Sequence, residues 1–221
     1  MRGAGARSWL YLYRVRADIR QGWNPLHKTK GVCSSSVDDA ARTMAAAGLV
    51  QRLAVRNEDL AEHSLATGAV AARLASQMGL EPSEIVEASL IGTLHEVGAI
   101  VVSPAALSRL GFASASEVLR VQRAERRAAV AIVRATPAIA DLADAVGSVF
   151  DDLVPSLTAR VAIVADQFDY LTRWVSGRRG VSVGQAIVIL EMHAGVRYDR
   201  RVVQALAATY GAAARRIQRR A

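Results

Sequence analysis

The sequence predicts an all-α protein, a helical bundle preceded by a weakly structured basic extension. Three observations lead there. Alanine is abundant while glycine and proline fall mostly at punctuation points, a composition that favours helix. Apolar residues recur at spacings of three and four, and no alternation of period two persists anywhere. At 221 residues and 52% hydrophobic, the chain can bury one sizeable core, and with only 5% aromatics that core must be aliphatic.

Residues 1–36 show no sustained period: Trp9, Tyr11, Tyr13 and Trp23 are scattered among arginines, and GVCSSS closes the segment. From Val37 to residue 214 the signals become helical. Ser36 can cap a helix reaching about Leu53. Apolar residues after Ser64 keep helical spacing until Met78, where Gly79 ends the helix. His63 is expected just ahead of that stretch. Pro82 at a first helical position starts the next helix through Ile85, Ala88, Ile91 and Leu94. Ser103 with Pro104, and Thr136 with Pro137, are two further cap and first-turn pairs. Later helices are expected from about Thr158 to Trp174, from Ser182 to His193 and from Asp199 past Tyr210. Ser182 and Gln185 have capping-box spacing, and Gly195 follows the end of that helix.

The formal charge of +8 sits at the ends. Seven basic residues against Asp18 alone fill residues 1–36, and Arg215, Arg216, Arg219 and Arg220 fill the tail 215–221, so the body between is slightly acidic. Solvated termini explain this most simply. A basic arm touching nucleic acid or an anionic membrane is the alternative. The Arg-rich start also looks like a transit peptide, or like translation from a start codon placed too early. A single cysteine, Cys33, excludes an internal disulfide framework and fits a reducing compartment. The best membrane candidate, ASLIGTLHEVGAIVV, carries His95 and Glu96 at its centre, so no transmembrane segment is expected and the protein reads as cytoplasmic.

Four residues stand out: His63, the adjacent His95 and Glu96, and Asp166, each on an apolar helical stretch. Singly, each has an ordinary explanation. The histidines can cap helix ends, Glu96 can be a solvated turn residue, and Asp166 can pair with Arg160 on its own helix. Together, two imidazoles and two carboxylates suit one Zn, Mn or Fe ion. Adjacent helical residues point about 100° apart, so His95 and Glu96 reach one ion only where neighbouring helices converge. A water beside such an ion becomes a nucleophile near neutral pH, and the chemistry suggested is hydrolysis at phosphorus. Tyr170 and Trp174, at i and i+4, are either core residues or an exposed dimer patch.

Over about residues 53–210 the chain resembles HD-GYP proteins, the branch of the HD superfamily of metal-dependent phosphohydrolases that cleaves the signalling molecule cyclic di-GMP. HSLATGAVAARLASQMGL looks like the family's first metal-ligand helix, with His63 at the ligand position. SLIGTLHEVGAIVVSPAAL is similar to the segment carrying its His-Asp-Ile-Gly-Lys run, matched here by His95, Glu96, Val97, Gly98 and Ala99. SRLGFASASE resembles the following loop, with Gly111 and Glu117 in register. LTARVAIVADQFDYLT resembles the helix supplying the last Asp, at Asp166, and HAGVRYDRRVVQAL the closing helix. The resemblance implies an HD-domain-like bundle, a metal set of His63, His95, Glu96 and Asp166, and a nucleotide or cyclic di-GMP ligand.

The departures from that pattern are specific. Glu96 stands where the family has Asp, and Ala99 where it has the Lys beside the substrate phosphate. A further His, a second-metal ligand, falls at about Ala124. The His-His-Glu and Gly-Tyr-Pro signatures should lie between Val146 and Pro155, where the chain reads VGSVFDDLVP; neither Val149 nor Phe150 can ligate a metal. The expectation is therefore a degenerate domain with one metal position, serving as a signalling or binding module. Alternatives are a single-metal phosphohydrolase and a metal-free helical interaction module. Regulation would come through a protein partner or homodimer.

Overall fold

A computed structural model describes residues 35–102, 115–149, 155–173 and 179–218. The chain divides into two units, 1–36 and 37–221, and the second holds nearly all of the described residues. Residues 1–34 of the expected extension, the Ser103–Pro104 pair, Gly111, Phe150 and Trp174 lie outside the described residues.

The protein is all-α. Eight α-helices are described: α1 (Ser35–Arg56), α2 (Glu58–Gln77), α3 (Pro82–Leu94), α4 (Ala115–Arg134), α5 (Ala143–Ser148), α6 (Leu157–Thr172), α7 (Val183–Met192) and α8 (Arg200–Gln218). Short 3-10 turns occupy Val97–Ile100 and Pro137–Leu142. No strand occurs among the described residues, only an isolated bridge between Ala194 and Tyr198. No described helix is long and apolar enough to cross a membrane.

Most boundaries follow from capping chemistry. Asn57 divides α1 from α2: its N–H donates to the Leu53 carbonyl at 2.7 Å, and its side chain accepts the Leu60 N–H at 3.1 Å. With one residue between the helices, α2 begins at Glu58, and His63 lies inside its second turn rather than ahead of it. Gly79, with φ of 72°, supplies the left-handed residue that ends α2, and Pro82 opens α3. Ser156 caps α6 through the Ala159 N–H. Ser182 and Gln185 form the expected capping box of α7. Thr136 precedes Pro137, but its hydroxyl donates back to the Ile132 carbonyl at 2.8 Å and does not cap, and the segment it opens is a 3-10 turn.

α2, α3 and α6 pack on one another and share the core with the other helices. Val70, Leu74, Val161, Val164, Phe168, Leu190, Val202 and Leu206 fill the space among α2, α6, α7 and α8. Leu90, Ile91, Leu94, Val133, Ile139, Leu142 and Val146 fill a second cluster among α3, α4 and α5, closed by Ala159 and Ala162 of α6. The ion pair of Arg160 with Asp199, 2.7 Å, ties α6 to the start of α8, so Arg160 is not the partner of Asp166.

Two glycines set how closely α2 and α3 approach. A Cβ on Gly68 would collide with the Thr93 hydroxyl and come within 2.8 Å of the Ser89 carbonyl. One on Gly92 would sit 3.2 Å from the backbone of Gly68. The two backbones are thus in contact, which brings the start of α2 beside the end of α3. A Cβ on Gly48 in α1 would meet nothing within 4 Å, so that position serves as a control. Gly68→Ala should lower the unfolding free energy in urea by about 1–3 kcal/mol, as overpacking does. Gly48→Ala should raise it by about 0.5–1 kcal/mol through helix propensity. Equal effects at the two positions would show that the backbone contact does not matter.

Candidate metal centre

The end of α3 explains how two adjacent residues can serve one site. Leu94 closes the helix, His95 is its C-cap, and Glu96 (φ −94°, ψ 1°) leads into the 3-10 turn Val97–Ile100. His95 keeps helical backbone angles, so its Nδ1–H reaches the Gly92 carbonyl of the last turn at 2.7 Å. That bond leaves Nε2 as the opposite edge of a ring that is 2% exposed, the edge that faces His63 and Asp166. His63, 7% exposed, is oriented in the same sense: Nδ1 is 2.7 Å from Asp169 Oδ2, and Nε2 points the other way.

The two Nε2 edges meet. His63 Nε2 lies 3.3 Å from His95 Nε2, and the ring planes are 74° apart. Asp166 Oδ1 lies 2.9 Å from His63 Nε2 and 3.4 Å from His95 Nε2. An ion about 2.0–2.1 Å from each of three tetrahedral ligands would separate them by about 3.3 Å. The three donors are therefore spaced as such a set requires, and His63, His95 and Asp166 can hold a metal ion. Glu96 stands at the edge of the group, with Oε1 3.6 Å from His95 Nε2.

Without an ion, protons take its place. Burial pushes the His63 imidazolium down, but hydrogen bonds and charge from Asp166 and Asp169 outweigh it and raise its pKa to about 10. His95 is likewise raised: burial opposes the shift, and the carboxylate of Asp166, helped by the charge of Glu96, overcomes it. Burial would lift the Asp166 carboxyl, yet hydrogen bonds from both imidazoles hold it well below the ordinary carboxylate range. The cluster is a buried network of alternating charge that satisfies itself.

Three contributors escape the sequence reading. Asp169 is the partner of His63, and Arg173 is the partner of Asp169, with Nε 3.3 Å from Oδ2. The apolar stripe of Ala159 and Ala162 on α6 is continued at spacings of four and three by Asp166 and Asp169, and that second carboxylate on a core-facing stripe is the available signal. The third is Glu125. The α4 backbone crosses the 3-10 turn so closely that a Cβ on Gly98 would strike the Glu125 carbonyl. Ala124 is exposed, whereas Glu125 is partly buried; burial and the charge of Glu96 push its carboxyl up to about 7. In the region expected to carry a second-metal set in HD-GYP proteins, the described residues include no histidine, aspartate or glutamate between Val146 and Pro155: Val146 is fully buried and Val149 packs against the same cluster.

No protein-family model matches the chain, and no curated protein matches it either.

The proton network gives a pH dependence with a defined sign. His63 has a folded pKa above its unfolded value, so the stability it contributes is complete below about pH 6.5 and is lost as pH rises through about 10. In chelator-treated protein the unfolding temperature should fall between pH 7 and pH 10, and His63→Gln should flatten that slope. A wild-type curve flat over the same range would contradict the assignment.

Proposed function

We propose that the protein is a degenerate HD-GYP-type domain that holds one divalent transition-metal ion, Fe, Mn or Zn, and acts as a signalling or binding module with hydrolysis lost or impaired. Its ligand on this reading is a nucleotide such as cyclic di-GMP. The observation that carries the proposal is the convergence of His63 Nε2, His95 Nε2 and Asp166 Oδ1 at tetrahedral spacing. The reading is supported by the resemblance of the segments that carry these three residues to the HD-GYP motifs, taken in order. The aliphatic character of Val146 and Val149 supports a single ion rather than two.

When bound, such an ion supplies Lewis acidity toward a phosphate oxygen or a water. The residues define what surrounds it. His63 and His95 present neutral nitrogen once their protons leave, Asp166 supplies the negative charge, and the buried face of α2 and α3 closes the inner side. The outer side is open, since the Asp166 side chain is 27% exposed and that of Glu96 21%. This openness favours the second reading, a single-metal phosphohydrolase. In it Glu96, at the rim, would hold the proton released by an attacking water.

Elemental analysis and cyclic di-GMP assays on one preparation separate these readings. The expected result is about one transition ion per chain, following from a three-residue ligand set, absent from His95→Ala and accompanied by nucleotide binding without turnover. Metal-dependent hydrolysis of a phosphodiester or a nucleotide monophosphate, lost in His95→Ala, would establish the second reading. A protein that takes up no metal and is unaffected by His95→Ala would refute both.

A further inference from the structure

Asp169 touches the centre without belonging to the converging donors. Its Oδ2 receives the His63 Nδ1–H at 2.7 Å, and the same oxygen lies 3.3 Å from Nε of Arg173. Arg173 is held in turn on two other sides: Nη1 donates to the Asp59 carbonyl at 2.6 Å, and Nη2 reaches the Glu62 carboxylate at 3.3 Å. Both side chains are largely buried, Arg173 at 10% exposure and Asp169 at 16%. The guanidinium thus joins the end of α6 to the opening of α2, the stretch that leads into His63.

An imidazole has one lone pair to give when neutral, and which nitrogen carries it depends on what the other nitrogen bonds. At His95 the Gly92 carbonyl makes that choice, and it is built into the helix backbone. At His63 the choice rests on a side chain, which has rotamers of its own. A carboxylate can swing away from Nδ1 unless something fixes it. Arg173 is that fixture, because a planar guanidinium bonded on three sides holds its partner in one geometry.

We propose that Asp169 and Arg173 form a positioning pair. Asp169 keeps the proton of His63 on Nδ1 and so directs Nε2 toward the site; Arg173 holds Asp169 in the orientation that does this. Neither side chain would touch the ion, yet affinity for it depends on both. The inference rests on the reading of His63, His95 and Asp166 as a metal set.

The test is zinc affinity of the full chain, measured by competition with a chromophoric chelator, beside the unfolding temperature of the metal-free protein. Asp169→Ala should weaken zinc binding about 10- to 100-fold, the usual cost of losing a partner behind a ligating histidine. Asp169→Asn, which keeps the shape and one acceptor, should lose less and remain folded if the alanine variant does not. Arg173→Met should weaken binding by a smaller factor. Because Arg173 acts through Asp169, the double variant should bind zinc no more weakly than Asp169→Ala alone. Wild-type affinity in Asp169→Ala and Asp169→Asn, with only the metal-free unfolding temperature lowered, would make the pair a structural brace and overturn the proposal. Additive losses in the double variant would overturn the relay through Asp169. A wild-type protein that binds no zinc, manganese or iron would instead remove the metal-site reading itself, and the pair's role with it.

Discussion

The contact between the backbones of α2 and α3 at Gly68 and Gly92 is the constraint on which the site depends. The helices are antiparallel, joined by the turn through Gly79. His63 lies five residues before Gly68 and His95 three after Gly92, so both are displaced from the contact in the same direction, by about 7.5 and 4.5 Å of helix rise. Ordinary helix pairs keep their axes about 8–10 Å apart, with side chains between them. Where a Cβ has no room, as at Gly68, the separation shrinks and two ring edges can meet at 3.3 Å. Asp166 then needs only to be delivered by α6, which lies against both helices.

That arrangement creates an electrostatic demand. Two imidazoles and two carboxylates lie in an interior that is otherwise mostly aliphatic and alanine-rich, where an uncompensated charge costs several kcal/mol. The cluster meets the demand by alternation: Asp169, His63, Asp166 and His95 follow one another at hydrogen-bonding or near-hydrogen-bonding distance. Arg173 closes the series at one end and the Gly92 carbonyl at the other. The central position between the three inner donors is the point where a cation or imidazole protons can supply the positive charge. Proton and metal compete for one place, which is why the same groups govern both stability against pH and capacity for an ion.

How much of this is legible in the sequence follows from the kind of information each feature needs. His63, His95 and Asp166 stand out as polar residues interrupting apolar helical text, and the structure brings those three together. The order of helices is legible because proline, glycine and capping residues mark most of their ends. The start of α2 is harder to place, because only Asn57 separates it from α1 and the regular apolar spacing begins after Ser64, whose hydroxyl is buried within the helix. Asp169 is hidden beside Asp166 because one carboxylate already satisfies the pattern; recognising a second needs knowledge of where His63 Nδ1 points. Arg173 stands four residues after Asp169, a spacing the sequence does show, but its contacts with Asp59 and Glu62, like the approach of Glu125 to the Gly98 turn, join segments far apart in the chain, and no local period encodes those. Sequence order predicts Glu96 as a fourth ligand, whereas the converging donors are His63, His95 and Asp166; the place of Glu96 at the rim follows from the change from α to 3-10 backbone at His95.

On the proposed reading, the apolar cluster around α5 bears on how half of a two-metal site could disappear without undoing the rest. Val146 and Val149 pack with Val133, Ile139 and Leu142, and a histidine or glutamate there would be a buried polar group requiring an ion to satisfy it. Aliphatic residues at those positions remove the requirement, and such replacements of buried charge are commonly neutral or stabilising. The inner donors cannot be exchanged so cheaply. Removing His95 would leave the Gly92 carbonyl without its imidazole partner and Asp166 with His63 alone, and removing Asp166 would leave two imidazoles facing each other at 3.3 Å. On the proposed reading, the surviving residues are therefore those whose charges satisfy one another in the metal-free fold. Persistence of the three donors is then explained by the core as well as by the ion, and metal affinity, rather than stability, is the property that distinguishes a working site from a structural remnant.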